Sequence, residues 1–204
     1  MGRTEVLLET KRLILRRFTT DDAGHLFDLD SDPEVMRFLN GGNPTPWAVI
    51  EADILPRFIQ YHERFPGFGF WAAIDRATGG FLGWFSLRPL DGADPSEASL
   101  GFRLRQETWN QGYATEGARA LIRLAFARLG VHRVTATTYQ DNLASRRVME
   151  KAGMTLHRTY RMNVADLGRA DTYHLASEDL WEGDDVEYSL QKSDWELQER
   201  ELNG

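Results

Sequence analysis

The stretch Trp109-Asn110-Gln111-Gly112-Tyr113-Ala114-Thr115-Glu116-Gly117 decides how this chain folds. Before it, the run from Ala98 to Leu104 reads as a strand; after it, Ala118, Leu121, Ile122, Ala125, Phe126 and Leu129 recur at helical spacing until Gly130 closes the helix. The segment is therefore a strand-to-helix turn. The first N–H groups of a helix have no partner inside it, and the helix dipole adds positive potential at that end. Gly112 and Ala114 remove the side chains that would keep a phosphate away from those amides. A phosphate-bearing ligand held by main-chain nitrogen is the first expectation.

A glycine between strand and helix is also plain turn chemistry. A second segment shifts the balance. The run from Asp141 to Met154, with Asn142, Ser145, Arg147, Glu150 and Gly153, follows a strand from Arg133 to Thr138 and reads as a short helix with an Asn cap and a terminal Gly. Together the GYATEG and NxxSxxxxEKxGM segments resemble the GNAT superfamily of acyl-coenzyme A dependent N-acyltransferases. Within it they are similar to the branch of the bacterial ribosomal-protein N-terminal acetyltransferases. The resemblance runs from about Thr10 to Leu190. Trp109 stands where the general GNAT loop begins with Gln or Arg, which leaves the phosphate grip to amides.

Composition sets the class before any motif is considered. The 204 residues, 42% of them hydrophobic, suffice for one core, and one domain over 1–204 is expected, with a core of about 10–190 and a charged tail over 193–204. A net charge of −7 argues against nonspecific nucleic-acid binding. No apolar run reaches the roughly 20 residues of a membrane span, and no leader precedes the first strand, so a cytoplasmic protein is expected. The absence of cysteine excludes disulfides, thiolate metal sites and an acyl-cysteine intermediate. Five scattered histidines show no metal-ligand spacing, and no metal is assigned.

Along the chain, the run Leu13–Phe18 is expected as the first strand. Helices follow over about 23–29, 33–39 and 47–64, the last kinked at Pro56. A hairpin joins Phe70–Ile74 to Phe81–Leu87 through the turn Asp75–Gly80, and Thr155–Tyr160 and Val186–Leu190 are the last strands. The interval 161–185, with Glu178, Asp179, Glu182, Asp184 and Asp185 around Leu180 and Trp181, reads as a solvated loop or as an acidic lid or partner surface.

The resemblance implies an α/β (α+β) GNAT fold: a mixed, mostly antiparallel sheet with helices on both faces, split into a V between the strands at Ala98–Leu104 and Arg133–Thr138. It implies acetyl-coenzyme A as co-substrate. Gln111, Gly112, Tyr113, Ala114 and Thr115 would hold the pyrophosphate, and an amide among Phe102, Arg103 and Leu104 would polarise the thioester carbonyl. Asn142 would meet the pantetheine arm, or serve only as a helix cap. Arg147 would approach the phosphates, or remain a solvated helix-face charge. Among catalytic groups, Glu97 is the candidate base, with an exposed strand-entry charge as the alternative. Ser145 is the candidate proton donor to the leaving thiolate, and Tyr139 is held in reserve. The implied reaction is direct acetyl transfer to a primary amine, either a protein N-terminus or a small molecule. A non-catalytic acyl-coenzyme A sensor is the alternative, and whether the chain forms a homodimer stays open.

Overall fold

The computed structural model describes residues 5–91, 94–161 and 183–203. In chain order, these residues form β1 (Val6–Glu9), β2 (Leu13–Arg17), α1 (Ala23–Asp30), α2 (Pro33–Asn40), α3 (Trp47–Val49) and α4 (Leu55–Arg64). Then follow β3 (Gly69–Asp75), β4 (Phe81–Asp91), β5 (Asp94–Leu104), α5 (Tyr113–Arg128), β6 (Arg133–Tyr139), α6 (Leu143–Lys151), β7 (Thr155–Tyr160), β8 (Asp185–Gln191) and α7 (Lys192–Asn203). The strands make one sheet in the order β1-β2-β3-β4-β5-β6-β8-β7. Every neighbouring pair is antiparallel except β5 with β6. The mixed, mostly antiparallel sheet that the resemblance implies is the one observed.

Alternation along the strands gives the sheet two apolar faces. Leu13, Leu15, Trp71, Phe85, Leu100 and Val134 belong to a cluster with Leu121, Ile122 and Phe126 of α5 and Met149 of α6. On the opposite face Phe70, Ala72, Phe81 and Trp84 pack with Leu26, Leu29, Ile54 and Phe58 of the N-terminal helices. Gly117 marks the tightest helix–sheet contact: a Cβ there would lie 2.3 Å from the Phe85 ring.

Three local expectations change. The strand β1 precedes the expected first strand; it is a four-residue edge element whose register supports only a short pairing with β2, and Val-Leu-Leu-Glu has no alternation to announce it. The expected kink at Pro56 is absorbed upstream, because the residues Ile50–Ile54 form a π-helical turn and Pro56 falls in the first turn of α4, where its missing N–H is not needed. The charged tail forms a docked helix over Lys192–Asn203: Trp195 packs 5.5 Å from the Phe126 ring, and Gln198 Nε2 donates to the Gly153 carbonyl at 3.1 Å. The hairpin turn at Asp75 is as expected, its Oδ1 accepting from the amides of Ala77 and Thr78 at 2.9 Å. Of the acidic interval, Glu178, Asp179, Leu180, Trp181 and Glu182 lie outside the described residues, while Asp185 opens β8.

Replacing Gly117 with Ala tests this packing. In an exposed helix the change would stabilise by up to about 1 kcal/mol. Here overpacking against Phe85 is expected to dominate and cost about 1–3 kcal/mol, read as a lower urea midpoint at unchanged m-value.

Candidate active site

Two strands that start as neighbours and then part create the site. The pairing of β5 with β6 is confined to Glu97–Arg133, Ala98–Val134 and Ser99–Thr135. Its pairing with β4 runs unbroken from Ala98 to Leu104, and β6 stays with β8 from Arg133 to Tyr139. Each strand keeps its antiparallel partner, so the sheet opens between them.

Backbone groups of successive residues point to opposite neighbours. The His132 amide donates to the Ser96 carbonyl at 2.7 Å, and the Arg105 amide to the Leu82 carbonyl at 2.9 Å. Even-numbered residues of β5 therefore face β6 and odd-numbered ones face β4. Past the last pair, the N–H groups of Phe102 and Leu104 point into the gap. The Leu104 carbonyl on that side is already engaged by the Trp109 indole N–H at 2.8 Å, which leaves the donor side of the edge open. Across the gap, the Gln140 amide donates to Asp184 at 2.8 Å, so Tyr139 falls on the side of β6 facing the gap; its carbonyl accepts the Asn142 amide at 3.0 Å.

At the mouth of the gap stands the N-terminus of α5. Gly112 is its N-cap at φ +82°, a left-handed conformation that suits glycine, and Asn110 has φ +59°. The first helical bond runs from the Glu116 amide to the Gly112 carbonyl at 3.0 Å. Among the described residues, nothing accepts from the amides of Gly112, Tyr113, Ala114 or Thr115. Four donors thus converge on one concave turn.

This turn is fixed from behind by residues a hundred positions away. Glu116 points away from the loop: its Oε1 accepts from Thr10 Oγ1 at 2.6 Å and the Arg12 amide at 2.9 Å, and its Oε2 from Arg12 Nε at 2.7 Å. Arg12 Nη1 donates to the Gln111 carbonyl at 2.8 Å, and the guanidinium lies 4.4 Å over the Tyr113 ring. Burial works to raise the Glu116 pKa, but bonds from Thr10 and Arg12 outweigh it and hold the carboxyl below its ordinary 4.5. The Tyr113 hydroxyl donates to Asp75 Oδ2 at 2.9 Å, tying the helix start to the β3–β4 turn and raising the phenol's pKa. The Gln111 side chain is likewise tied back, to the Glu107 carbonyl at 2.8 Å. Of the expected phosphate-loop residues, then, Gln111 and Tyr113 turn their side chains away and keep main-chain groups in the loop.

On the α6 side, Asn142 Oδ1 caps the helix by accepting the Ser145 amide at 3.1 Å. The Asn142 side-chain NH₂ and the Ser145 hydroxyl have no partner among the described residues, and both residues are half-buried beside the gap. Arg147 is exposed and makes no hydrogen bond or ion pair among those residues, whereas Arg146 is committed to the Gln140 carbonyl and the Tyr188 hydroxyl.

Two expected residues are not brought to the gap. Arg103 faces β4 through its main chain, opposite Trp84, and its guanidinium is buried against Asp30 Oδ1 at 2.5 Å and over the Trp84 ring at 5.1 Å. It therefore supports the N-terminal helices and offers no amide to a ligand. Glu97 sits where the strands are still paired, about 17 Å along β5 from Phe102. Its Oε2 accepts from Arg133 Nη1 at 3.0 Å, and Arg133 Nη2 bonds Glu187 Oε1 at 2.8 Å. A carboxylate holding an arginine is a poor free base, and the strand-entry alternative is the better description. Arg12, Thr10 and the Trp109 indole bond were not legible in the sequence, because no local pattern links positions so far apart or reveals which carbonyl an indole will reach. A cavity of about 440 Å³ lies outside the gap, adjoining the end of β5 between Asp28, Leu29, Asp32, Val35, Arg105, Gln106 and Glu107.

A strand parted from its neighbour and a helix start with free amides match the known acetyltransferase arrangement, and comparison decides the family. The family model described as an acetyltransferase (GNAT) domain matches residues 12–155. The chain belongs to the GNAT acetyltransferase family. It is 33% identical over 201 residues to an FsC-acetyl coenzyme A-N(2)-transacetylase of Aspergillus fumigatus, covering 92% of this chain and 77% of that one. A GNAT-family acetyltransferase structure from Bacillus anthracis superposes with a TM-score of 0.74 at 20% identity, covering 93% of this chain and 99% of the other. RimL, a ribosomal L7/L12 alpha-N-protein acetyltransferase solved with coenzyme A, gives 0.70 at 18% identity over 92% and 98%. This GNAT chain is thus an acyl-coenzyme A dependent N-acetyltransferase at the level of its family.

The loop lock predicts an acid-sensitive contribution to stability. A carboxyl whose folded pKa is depressed stabilises above its unfolded pKa and loses that contribution as pH falls through the folded value. Glu116→Gln should therefore cost on the order of 1–2 kcal/mol at neutral pH. Chemical denaturation at a series of pH values should show the gap between wild type and variant closing only below the ordinary value of 4.5.

Proposed function

We propose that the gap between β5 and β6 receives the pantetheine and thioester of acetyl-coenzyme A, that the amides of residues 111–115 hold its pyrophosphate, and that the chain acts as one acyltransferase domain delivering acetyl directly to an amine. The carrying observation is the alignment of two kinds of unused donor: strand N–H groups at Phe102 and Leu104, and the four amides at the start of α5. The first set fits an extended amide-bearing chain that adds to the sheet edge; the second fits a diphosphate.

When bound, acetyl-coenzyme A supplies an acetyl group activated as a thioester. The Phe102 amide, or that of Leu104, donates to the carbonyl oxygen as negative charge builds there; a donor of this kind contributes about 2.7–4 kcal/mol in other acyl-transfer enzymes. The Asn142 NH₂ holds the pantetheine arm while its Oδ1 caps α6. The Ser145 hydroxyl donates to the departing sulfur, with Tyr139 as the reserve group, and Arg147 contributes positive charge toward the phosphates. With Glu97 committed to Arg133, the acceptor must arrive as a free amine or through water. That suits an amine of ordinary α-type, titrating near 7.7–8.0, better than a lysine near 10.4. Orientation then carries much of the rate, a contribution that reaches about 7–11 kcal/mol in well-aligned systems. For the acceptor, the Aspergillus relative is named for transfer at N(2) and RimL for an alpha-N-protein target; the higher sequence identity is with the former, 33% against 18%.

The test is acceptor-dependent release of free thiol from acetyl-coenzyme A across a panel of amines and peptides. Gly112→Val, which forces a branched side chain into a left-handed position, should weaken coenzyme A binding by tenfold or more, about 1.4 kcal/mol, in calorimetry on protein with an unchanged circular-dichroism spectrum. Unchanged affinity would sink the reading, and tight binding without thiol release for any amine would leave a non-catalytic acyl-coenzyme A binding module in its place.

A further inference from the structure

The cavity beside the end of β5 is lined by an arginine whose side-chain Nε has no hydrogen bond among the described residues. The Arg105 Nε is occluded without an acceptor, and its terminal nitrogens make only long ion pairs, 3.5 Å to Asp28 and 3.8 Å to Glu107. Both carboxylates are on exposed side chains, at 64% and 73%, while the Arg105 side chain is only 26% exposed. A donor as fully occluded as this Nε is normally satisfied, and the long ion pairs leave the terminal nitrogens able to take a better acceptor.

The rest of the residue is held firmly. The Arg105 amide donates to Leu82 at 2.9 Å, and its carbonyl accepts from the Thr108 amide at 3.0 Å and the Thr108 hydroxyl at 2.7 Å. The guanidinium lies 5.7 Å over the Phe81 ring, and His25 stacks on that ring at 4.8 Å. A planar fork is thus positioned before any ligand arrives, at the wall of a cavity of about 440 Å³ whose apolar floor includes Leu29 and Val35.

The position of the cavity gives the fork a use. Arg105 and Arg103 share the face of β5 that meets α1, since Arg103 pairs with Asp30 and Arg105 lies near Asp28. That face is opposite α5. A donor gripped at the start of α5 leaves this side open for the acceptor, and Arg105 lies about 10 Å along the strand from Phe102. We propose that Arg105 binds a carboxylate of the acceptor, so that the chain's preferred substrate is an amine that also carries a carboxylate, an amino acid or a derivative of one. Asp28 and Glu107 turn aside when it binds and, with Asp32, repel acceptors bearing a second anion. This deepens the transfer reading above and rests on it for the identity of the ligand as acceptor.

The experiment compares α- and ω-amino acids of three to six carbons with their carboxamides, in which only the anionic group is removed. With wild-type protein, acids should show lower KM than the matching amides. Arg105→Met should raise KM for the acids on the order of tenfold to a hundredfold, leave KM for the amides and the Kd for coenzyme A unchanged, and so erase the preference. Arg105→Lys, which keeps the charge without the fork, should recover only part of it. Equal KM for acids and amides in the wild type, or equal loss for both in Arg105→Met, overturns the proposal. Calorimetry of the same acids and amides on coenzyme A-saturated protein reads the site without turnover: preferential binding of acids with no thiol release would sink the transfer reading and keep the carboxylate site, whereas turnover with no preference would do the reverse.

Discussion

The loyalty of β5 to β4 and of β6 to β8 is the constraint on which this molecule is built. Along the gap each strand keeps a continuous antiparallel ladder on its outer side, and the parallel contact between them, weaker per residue, is abandoned after Ser99. An opened sheet would normally leave an acceptor and a donor at each inward-facing residue. Here the Trp109 indole takes the Leu104 carbonyl, so what remains toward the gap at that residue is an N–H. The polarity of the site follows from backbone hydrogen bonding before any catalytic side chain is considered.

The loop at the start of α5 depends on a second constraint, the cross-chain lock made by Thr10, Arg12 and Glu116. Glu116 is acidic at a helix N-terminus, a location the dipole favours, yet a carboxylate facing the loop would repel phosphate. The turn between β1 and β2 resolves this by absorbing both carboxylate oxygens. One interaction thereby removes a negative charge from the loop, holds the Gln111 carbonyl and stacks on Tyr113. The short N-terminal hairpin is thus part of the site's support even though it contributes nothing to the gap.

The two faces of the sheet divide the work. On one, α5 and α6 bring the free amides, Asn142 and Ser145 to the edge of the gap; on the other, α1 and α2 cover Arg103 and border the cavity of Arg105. The ion pair of Arg103 with Asp30 and the chain of Glu97, Arg133, Glu187 and Arg158 belong to this second face, where arginines and carboxylates meet at hydrogen-bond distance. Arg105 differs from them in having only long contacts, to Asp28 and Glu107, at the wall of a cavity.

Periodicity and caps made the strand–loop–helix of residues 98–130 and the Asn-capped helix at 142 legible, because those signals are local: Gly112, Gly130 and Asn142 act on bonds within a few residues of themselves. The V between the central strands was legible only through family resemblance, since pairing is a contact between distant positions. Side-chain direction was not legible at all. Whether Glu97 is a base or an ion-pair partner depends on Arg133 reaching it, and whether Arg103 or Phe102 offers its amide depends on a register shared with β4. The amino-acid order by itself determined where most helices and strands lie and which amides at the start of α5 could be left over; only the folded sheet decided which strand amides face the gap, because strand register and long-range charge pairing are set by neighbours that the chain brings together after a hundred residues.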